Sequence, residues 1–383
     1  MSEVDLGPGT KIDRYELVRS VARGGMGHVW LARFGGSHGF EKLVAIKTIL
    51  PELAASEQFR TMLLDEARLS SRLEHANVAQ ILDVGQLGDQ PYIVFEWVEG
   101  ASLEEVCAAA EARGARIAIG PLLRVMADVA AGLHAAHELT GEDGQPLSVV
   151  HRDVTPNNII VSRKGYAKLI DFGVAKAKGR LADDTRSGVV KGTPQYMAPE
   201  QARGDKVDRR VDVFAAGAVL YRALAGAPPF KDRAELASFI VKHSEPAPLG
   251  DHVPSELRAI VARAMQRNRD DRHATAEELG FALERVLGTL DEGASIASLF
   301  PAEPKAKEVT DTRPVDVTAP DGPSIAGSTQ VSGHAKTVAV TTPSPSVPTA
   351  RGRSSRSLEL ALVVAIVCAV LAVCALVWSF SRS

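Results

Sequence analysis

The hydrophobic pattern of this chain changes near Gly100, and that change limits the folds that the chain can form. Before Gly100, short runs with strand periodicity surround a single helical pattern. The predicted strands cover 15–21, 28–33, 43–49, 80–85 and 91–97, and the predicted helix covers about 56–73. After Gly100 the periodicity is helical, and Ser102 with Glu105 and Thr275 with Glu278 predict capping boxes at two helix starts. The pattern predicts an α+β fold, in which a small β-rich lobe with one helix precedes a larger helical lobe.

Composition divides the chain of 383 residues into three segments. Residues 12–290 carry nearly all of the aromatic residues and form the predicted globular domain, with lobes at about 12–98 and 99–290. Residues 291–357 are rich in Pro, Ser, Thr, Ala and Val. Because such a segment buries too little apolar surface to offset its chain entropy, we predict a disordered linker there.

Residues 358–380 contain the uncharged run "LALVVAIVCAVLAVCALVW". A helix of this length matches the hydrocarbon thickness of a bilayer, and the run lacks the amphipathic face of a core helix, so it predicts one transmembrane helix. Arginines are more frequent before the run than after it: Arg351, Arg353 and Arg356 against Arg382. The positive-inside rule therefore predicts a single-pass protein of the cell membrane with its globular domain in the cytoplasm. A small-residue stripe is compatible with a homodimer through this helix, although an Ala-rich run also produces such a stripe by chance: Ala361, Ala365 and Ala369.

Net charge and cysteine positions argue against several classes of function. The net charge is −3 and acidic and basic residues are mixed, so no electrostatic argument favours a nucleic acid as partner. Cys107 stands alone and Cys368 and Cys374 lie in the apolar run, which argues against a disulfide framework and a thiolate metal site. The stretch "MSEVDLGPGTK" lacks the basic and apolar parts of a secretory signal, so we expect the amino-terminal region to stay in the cytoplasm.

Two motifs in the predicted β-rich lobe suggest binding of an anionic ligand. The stretch "VARGGMGHV" at 21–29 fits the pattern GxGxxGxV with Ala22 in place of the first Gly, and its glycines would let backbone amides approach phosphate oxygens. A plain hairpin turn is the alternative. Lys47, in the strand "VAIK", needs an anionic partner because burying it unpaired is costly. Glu66 in the following helix is the predicted carboxylate, and Asp65 is the alternative.

Two further motifs supply acidic and amide side chains. "HRDVTPNN" contains Asp153 and Asn158, and "DFG" begins with Asp171. Mg²⁺ prefers carboxylate and amide oxygens completed by water and phosphate, so Asn158 with Asp171 predicts a Mg²⁺ site. Asp153 is the predicted base that accepts or orients the proton of an attacking hydroxyl.

Together these motifs resemble one family. The Gly-rich loop, Lys47, Glu66, the motifs HRD, DFG and APE (198–200) occur in chain order as in a eukaryotic-type Ser/Thr protein kinase. The apolar run at 358–380 resembles that of bacterial, membrane-anchored members. The resemblance implies the bilobal protein kinase fold and a non-specific serine/threonine protein kinase. It implies that ATP with Mg²⁺ supplies the γ-phosphoryl group, that Ser and Thr hydroxyls of proteins accept it, and that the activation segment is autophosphorylated.

The resemblance also implies the nucleotide site. Val29, Ala45 and Ile160 would sandwich the adenine, and the backbone at Glu96 and Val98 would bond its edge. The implied ATP-binding set is Val21, Ala22, Arg23, Gly24, Gly25, Met26, Gly27, His28, Val29, Ala45, Lys47, Phe95 as gatekeeper, Glu96, Val98 and Ile160. The implied catalytic set is Asp153 as base, Lys47 on the α and β phosphates, Glu66 steadying Lys47, and Thr155, with Asn158 and Asp171 on the metal.

Regulatory and structural roles follow from the same resemblance. A phosphate on the activation segment would neutralise Arg152, with Thr185 and Ser187 as candidate phosphosites. Thr193 in "GTPQYMAPE" matches the Thr that Ser/Thr kinases place beside the acceptor hydroxyl. The implied structural residues are His151 and Phe172 in an apolar column, Asp212 as anchor of the catalytic loop, and Arg272 paired with Glu200.

Thr155 stands where most Ser/Thr kinases carry a Lys that reaches the γ-phosphate. Because the metal ligands, the strand Lys and the base are all present, we predict an active enzyme. The alternatives are a nucleotide-binding pseudokinase that scaffolds a complex at the membrane, and a small-molecule phosphotransferase of related fold. The polar stretch "HELTGEDGQPLSVV" before the HRD motif predicts a hairpin-like surface loop, with a docking site for a partner as the alternative.

Overall fold

The computed structural model describes six stretches of the chain, and for Glu66 it describes the backbone only: 6–25, 27–35, 40–88, 90–172, 194–290 and 295–300. Several predictions fall on other residues and lie outside the described ones. They are the conformations of Met26, Thr185, Ser187 and Thr193, the linker after residue 300, and the apolar run at 358–380.

A six-stranded antiparallel sheet forms the first lobe. Its strands are β1 (Lys11–Ile12), β2 (Tyr15–Gly24), β3 (Gly27–Gly35), β4 (Glu41–Ile49), β5 (Ile81–Leu87) and β6 (Gln90–Glu96). They lie in the order β1-β2-β3-β4-β6-β5. Two helices follow β4, namely α1 (Pro51–Ala54) and α2 (Glu57–Ser70). The Ser56 side chain caps α2 by accepting a hydrogen bond from the Phe59 amide.

Alternation along β4 sends its side chains to two different cores. Val44 and Ile46 pack with residues of β1, β2 and β3 on one face. Ile49, on the other face, packs with Phe59 and Leu63 of α2. Lys47 therefore belongs to the face that carries the helix.

The second lobe is helical and carries a small sheet near the junction. Its helices are α3 (Leu103–Ala112), α4 (Ile119–His137), α5 (Pro199–Arg203), α6 (Arg210–Ala225), α7 (Arg233–Lys242), α8 (Ser255–Ala264) and α9 (Ala276–Leu287). Three antiparallel strands lie in the order β7 (Gly100–Ser102), β8 (Ile159–Ser162), β9 (Tyr166–Leu169). Every residue of α6 from Val211 to Leu224 is buried, because other elements surround this helix.

The capping box predicted at Ser102 is present. The Ser102 hydroxyl accepts from the Glu105 amide, and the Glu105 carboxylate accepts from the Ser102 amide. The prediction at Thr275 was half wrong. Thr275 accepts from the Glu278 amide, but the Glu278 carboxylate accepts from the Ala274 amide instead of the Thr275 amide.

Helix α4 is long and apolar enough to span a membrane by length and composition, and no other helix within the described stretches passes that test. Of its most apolar window, 67% is buried inside the protein. Leu122, Leu123 and Leu133 are fully buried in the main core of the helical lobe. In this structure α4 is therefore a core helix.

The folded part extends beyond residue 290, where the sequence analysis ended it. A 3₁₀ helix, Ile296–Leu299, packs Ile296 and Leu299 into the same core as α4. Phe300 follows this 3₁₀ helix, and the Arg163 guanidinium lies over the Phe300 ring, 4.6 Å from the ring centroid. Arg163 directly follows β8, so the segment 295–300 lies beside the strand that contributes Ile160 to the cleft.

The polar stretch before the HRD motif forms the predicted hairpin-like loop. Thr140 and Pro146 form an isolated antiparallel bridge, and the Leu147 amide donates to the Leu139 carbonyl at 2.9 Å. Residues 142–146 are exposed.

Candidate active site

A buried carboxylate holds the loop that carries Asp153. The two Asp212 oxygens accept hydrogen bonds from the His151 and Arg152 amides, each at 2.8 Å, and Asp212 is fully buried. His137 Nε2 lies 2.8 Å from the same carboxylate. Burial raises the pKa of the Asp212 carboxyl, but the His137 hydrogen bond, the nearby histidines and the backbone amide outweigh burial, so its pKa lies below the usual value. These bonds stabilise a left-handed backbone at Arg152, with φ of 66°.

Asn158 fixes Asp153 and connects it to the next motif. Asn158 Nδ2 donates to the Asp153 carbonyl at 2.8 Å and lies 3.3 Å from its carboxylate Oδ2. The Asn158 carbonyl accepts from the Ile170 amide at 3.0 Å. Because Ile170 immediately precedes Asp171, one residue aligns the HRD loop with the DFG motif.

Lys47 and Asp171 meet across the cleft. Lys47 Nζ lies 2.7 Å from Asp171 Oδ2, and the side chains are 10% and 27% exposed. The predicted alternative partner, Asp65, is well exposed and lies 3.5 Å from Arg68 on the same helix. The Glu66 side chain lies outside the described residues.

The side-chain oxygens of Asn158 and Asp171 are suitable ligands for a Mg²⁺ ion that also binds a phosphate. Because the Asn158 amide nitrogen faces Asp153, its oxygen lies on the opposite side of the amide. Asp171 follows Ile170, whose amide donates to the Asn158 backbone carbonyl, and it supplies a carboxylate to the cavity lining. Within the described stretches no group of three or more His, Cys, Asp or Glu could hold a metal by itself. One carboxylate and one amide are the kind of incomplete shell that Mg²⁺ completes with phosphate oxygens and water.

A contact between two aromatic rings fixes the residue that follows Asp171. The His151 and Phe172 rings lie 4.4 Å apart, and His151 Nε2 lies 3.0 Å from the Ile170 carbonyl. Phe172 is buried in the core of the helical lobe. The sequence analysis placed both rings in one apolar column, and the structure brings them into contact.

A cavity of about 240 Å³ lies between the sheet and the β7–β8 region. Its lining contains many of the residues expected around ATP: Val21, Val29, Ala45, Lys47, Phe95, Glu96, Val98, Ile160 and Asp171. Phe95 is opposite Ala45 in the paired strands β6 and β4. The other members of the Gly-rich loop that the structure describes do not line this cavity: Ala22, Arg23, Gly24, Gly25, Gly27 and His28.

Seven further residues that the sequence motifs did not predict also line the cavity: Arg19, Ala79, Trp97, Gly100, Ser102, Glu105 and Ile170. The Arg19 guanidinium lies 5.8 Å from the Trp97 ring centroid at the edge of the cavity. Arg19 lies on β2, where the pairing with β3 is irregular on both sides of it, so strand alternation alone does not predict that Arg19 faces the cavity. Ser102 and Glu105 had been recognised as a cap, and the same hydrogen-bonded pair also faces the cavity.

Glu96 is held by its side chain as well as by its strand. Its carboxylate lies 2.6 Å from Lys168 Nζ and accepts from the Gln80 amide at 2.9 Å. These contacts fix β6 where it leaves the sheet. The backbone at Glu96 and Val98 remains the predicted contact for an adenine edge.

Strand packing requires a glycine at position 27, a requirement that the motif alone does not show. A Cβ at Gly27 would lie 1.9 Å from the Thr48 carbonyl oxygen on β4. A Cβ at Gly24 or Gly25 would meet nothing within 4 Å. Ala22, which replaces the first Gly of the pattern, pairs with Val29 in the β2–β3 ladder. A side chain is thus accommodated at position 22, whereas position 27 requires Gly because two strands approach closely.

Thr155 lies inside the loop and does not line the cavity. It is buried, with 5% exposure, and its carbonyl accepts from the Asn158 amide at 3.0 Å. Its short side chain cannot replace a Lys that extends into the cleft. Thr155 therefore adds no cation to the cavity lining, to which Lys47 contributes an ammonium group.

Arg272 and Glu200 form the predicted buried pair. Arg272 Nη1 and Nη2 donate to the two Glu200 oxygens at 2.7 and 2.8 Å. Arg152 behaves differently, because its buried Nε has no hydrogen-bond partner among the described residues. The candidate phosphosites that would neutralise Arg152 lie outside those residues.

A family comparison decides the classification. The family model described as protein kinase domain matches residues 15–280. The chain belongs to the protein kinase family. Members of this family generally use ATP and Mg²⁺, and the β-rich and helical lobes of this kinase domain confirm the predicted bilobal fold.

Bacterial kinases are among its similar proteins. The kinase domain is 44% identical over 277 residues to the tyrosine-protein kinase MasK of Myxococcus xanthus, covering 71% of this chain and 43% of MasK. The chain is 33% identical over 344 residues to the serine/threonine-protein kinase PknB of Mycolicibacterium smegmatis, and this match covers 86% of the chain and 53% of PknB. The chain thus spans about half the length of these curated relatives.

The fold is similar to a solved bacterial kinase domain. The PknI kinase domain of Mycobacterium tuberculosis superposes with a TM-score of 0.57 at 26% identity, covering 74% of this chain and all of that one. The eukaryotic-type kinase family expected from the motifs is therefore confirmed.

Proposed function

We propose that this chain is a Ser/Thr protein kinase that uses ATP and Mg²⁺. The observation that carries the proposal is a connected set of contacts: Lys47 pairs with Asp171 in the cavity lining, and Asn158 bonds both to Asp153 and to the backbone of the residue before Asp171. Those groups come from β4, the HRD loop and the DFG motif, far apart in the sequence. Their convergence supports phosphoryl transfer, which relies on positioning and charge stabilisation more than on covalent chemistry.

Each side chain has a defined part in this proposal. Bound MgATP would supply the phosphoryl group that is transferred. Lys47 would bind the α and β phosphate oxygens, and the side-chain oxygens of Asn158 and Asp171 would hold Mg²⁺. The Asp153 carboxylate accepts the proton of the substrate hydroxyl, while Asn158 keeps that carboxylate in place.

The adenine would be held by apolar contact. Val29 and Ala45 from the sheet and Ile160 from β8 line one cavity and would cover the two faces of the base. The buried Phe95 lies opposite Ala45 on the neighbouring strand and also lines the cavity. The short, buried Thr155 supplies no cation to the γ-phosphate, whose charge a bound Mg²⁺ ion would stabilise.

The preference for Ser and Thr is supported by the motif "GTPQYMAPE" and by relatives named serine/threonine-protein kinases, among them PknB and PknH. MasK, at 44% identity, is named a tyrosine-protein kinase. The acceptor amino acid is therefore the property to measure first.

Phosphoamino-acid analysis separates the two specificities. The full chain, purified in detergent and incubated with γ-labelled ATP and Mg²⁺, is expected to carry label on phosphothreonine and phosphoserine. Peptide mapping is expected to find Thr185 or Ser187 among the labelled residues. Label confined to phosphotyrosine would reject the Ser/Thr assignment, and labelled nucleotide that binds without any transfer would support the pseudokinase.

We also propose that the protein is anchored in the cell membrane with the kinase domain in the cytoplasm. The support is the uncharged run within 358–380 and the Arg residues that precede it. After alkaline carbonate extraction the full chain is expected to stay with the membrane pellet. A chain ending at residue 357 is expected in the supernatant, and equal distribution of both chains would contradict the anchor.

A further inference from the structure

Helix α5 contacts two different parts of the kinase domain through neighbouring side chains. Glu200 pairs with the buried Arg272, whose guanidinium also donates to the backbone carbonyls of Gln266, Arg210 and Arg267. Gln201, the next residue, donates from Nε2 to the Arg152 carbonyl at 2.8 Å. The first contact fixes α5 to the body of the helical lobe, and the second reaches the HRD loop.

The Gln201 contact falls on the peptide group that precedes Asp153. The carbonyl of this peptide is bound by Gln201, and its amide lies 3.3 Å from His151 Nδ1. The preceding amide, that of Arg152, is bound by the buried Asp212. Arg152 itself has the left-handed φ of 66°, a conformation that non-Gly residues adopt only when surrounding contacts hold it.

Rotation of that peptide would move the Asp153 carboxylate. Asp212 and His151 hold amide groups on either side of Arg152, but neither binds the carbonyl. Among the described residues, the side-chain donor recorded on the Arg152 carbonyl is Gln201. Loss of this donor would free one polar atom of a strained peptide, directly before the proposed base.

We propose that Gln201 is a positioning residue for Asp153. It ties helix α5, which begins within the APE motif, to the backbone of the HRD loop, so the direction of the Asp153 carboxylate depends on the placement of α5. This inference rests on the proposed phosphotransferase function. Small displacements of a catalytic group reduce rate strongly, because proton acceptance requires close and aligned contact.

The contact could alternatively serve stability alone. In that case its loss would lower the unfolding temperature and the fraction of folded molecules, while each folded molecule would transfer phosphate at the normal rate. A positioning role instead lowers kcat per nucleotide-binding molecule and leaves the KM for ATP almost unchanged, because the cavity lining does not include Gln201.

Gln201→Met in the full chain tests the inference. This change keeps the length and most of the volume of the side chain but removes the donor. The expected result is a fall in kcat of about tenfold, the effect of losing one hydrogen bond in the transition state. The KM for ATP is expected to stay within about twofold, and each kcat is divided by the number of ADP-binding sites measured by titration.

Two further variants make the test specific. Gln201→His, whose imidazole N–H can reach the same carbonyl, is expected to recover most of the lost kcat. Gln266→Met is the matched control, because the Gln266 side chain is exposed and, within the described stretches, its hydrogen bond goes to the Ala262 carbonyl, four residues earlier. This control is expected to keep the wild-type kcat.

The outcomes separate the two levels of the proposal. A wild-type chain that binds ADP but transfers no phosphate would reject the proposed function itself. An active wild type with unchanged kcat in Gln201→Met would overturn the positioning role of Gln201. A loss in Gln201→Met that is fully explained by fewer ADP-binding sites would overturn it as well.

Discussion

Asp153→Asn is expected to lower phosphoryl transfer by about a thousandfold, within the range that a positioned general base contributes. Asn has the shape of Asp, and the Asp153 backbone carbonyl would still accept from Asn158. The amide nitrogen, however, cannot accept a proton from a substrate hydroxyl. The measurement is the initial rate of label transfer from ATP to the chain itself and to a protein substrate, at saturating ATP and Mg²⁺.

Asp205→Asn is the control for this experiment. Asp205 is an exposed carboxylate whose cationic neighbour, Arg203, lies 3.8 Å away on the surface. We expect this variant to keep the wild-type rate. ADP affinity is expected to be equal in all three proteins, since Asp153 does not line the nucleotide cavity. A wild-type rate in Asp153→Asn would show that another group accepts the proton.

Arg272→Met is expected to have the largest effect on stability, with a loss of about 3–5 kcal/mol in the free energy of unfolding. The Arg272 side chain is fully buried and Glu200 is 8% exposed, so the variant leaves a carboxylate buried without its cation. It also leaves the carbonyls of Gln266, Arg210 and Arg267 without this donor. Urea unfolding, followed by tryptophan fluorescence and by far-UV circular dichroism, measures the change.

Removing the Glu200 charge as well tests whether the unpaired carboxylate causes the loss of stability. The double variant Arg272→Met with Glu200→Leu is expected to recover part of the loss, because no buried charge remains. Recovery is expected to be incomplete, since three carbonyls still lack the guanidinium. Arg285→Met is the surface control. Arg285 pairs with Glu256 at 2.9 Å, but the two side chains are 69% and 45% exposed, and we expect a loss below about 1 kcal/mol.

If Arg272→Met destabilised the protein no more than Arg285→Met, the buried pair would not be a main support of helix α5. Gln201 could then not hold the Arg152 carbonyl in a fixed position, because α5 itself would not be held by the rest of the helical lobe. The two experiments therefore test connected parts of one arrangement.

Much of the site could be predicted from sequence because its elements are local. Asp153 and Asn158 lie within one short loop. A 3₁₀ turn at Pro156–Asn158 brings the Asn158 side-chain amide to the Asp153 carboxylate. The change from strand to helix periodicity predicted both lobes, because burial of one face imposes the period of each element. The capping box at Ser102 could likewise be predicted, since its hydrogen bonds join Ser102 to Glu105, only three residues away.

Predictions were less complete where distant segments meet. The Lys47 contact with Asp171 joins residues from different lobes, and the sequence offered Glu66 and Asp65 as nearer candidates. The need for Gly at position 27 follows from the Thr48 carbonyl on the next strand. The residues 295–300 read as linker by composition, yet Ile296 and Leu299 are buried against the helical lobe.

The sequence by itself determined the family, the order of the lobes and the identity of the acidic, amide and basic groups, because motifs and periodicity record local geometry. The tertiary structure decided which of those groups touch: Lys47 with Asp171, Arg272 with Glu200, and Gln201 with the Arg152 carbonyl. Hydrogen bonds and ion pairs act only over a few ångströms, so a contact between segments far apart in the chain exists only after the packed core has fixed their distance.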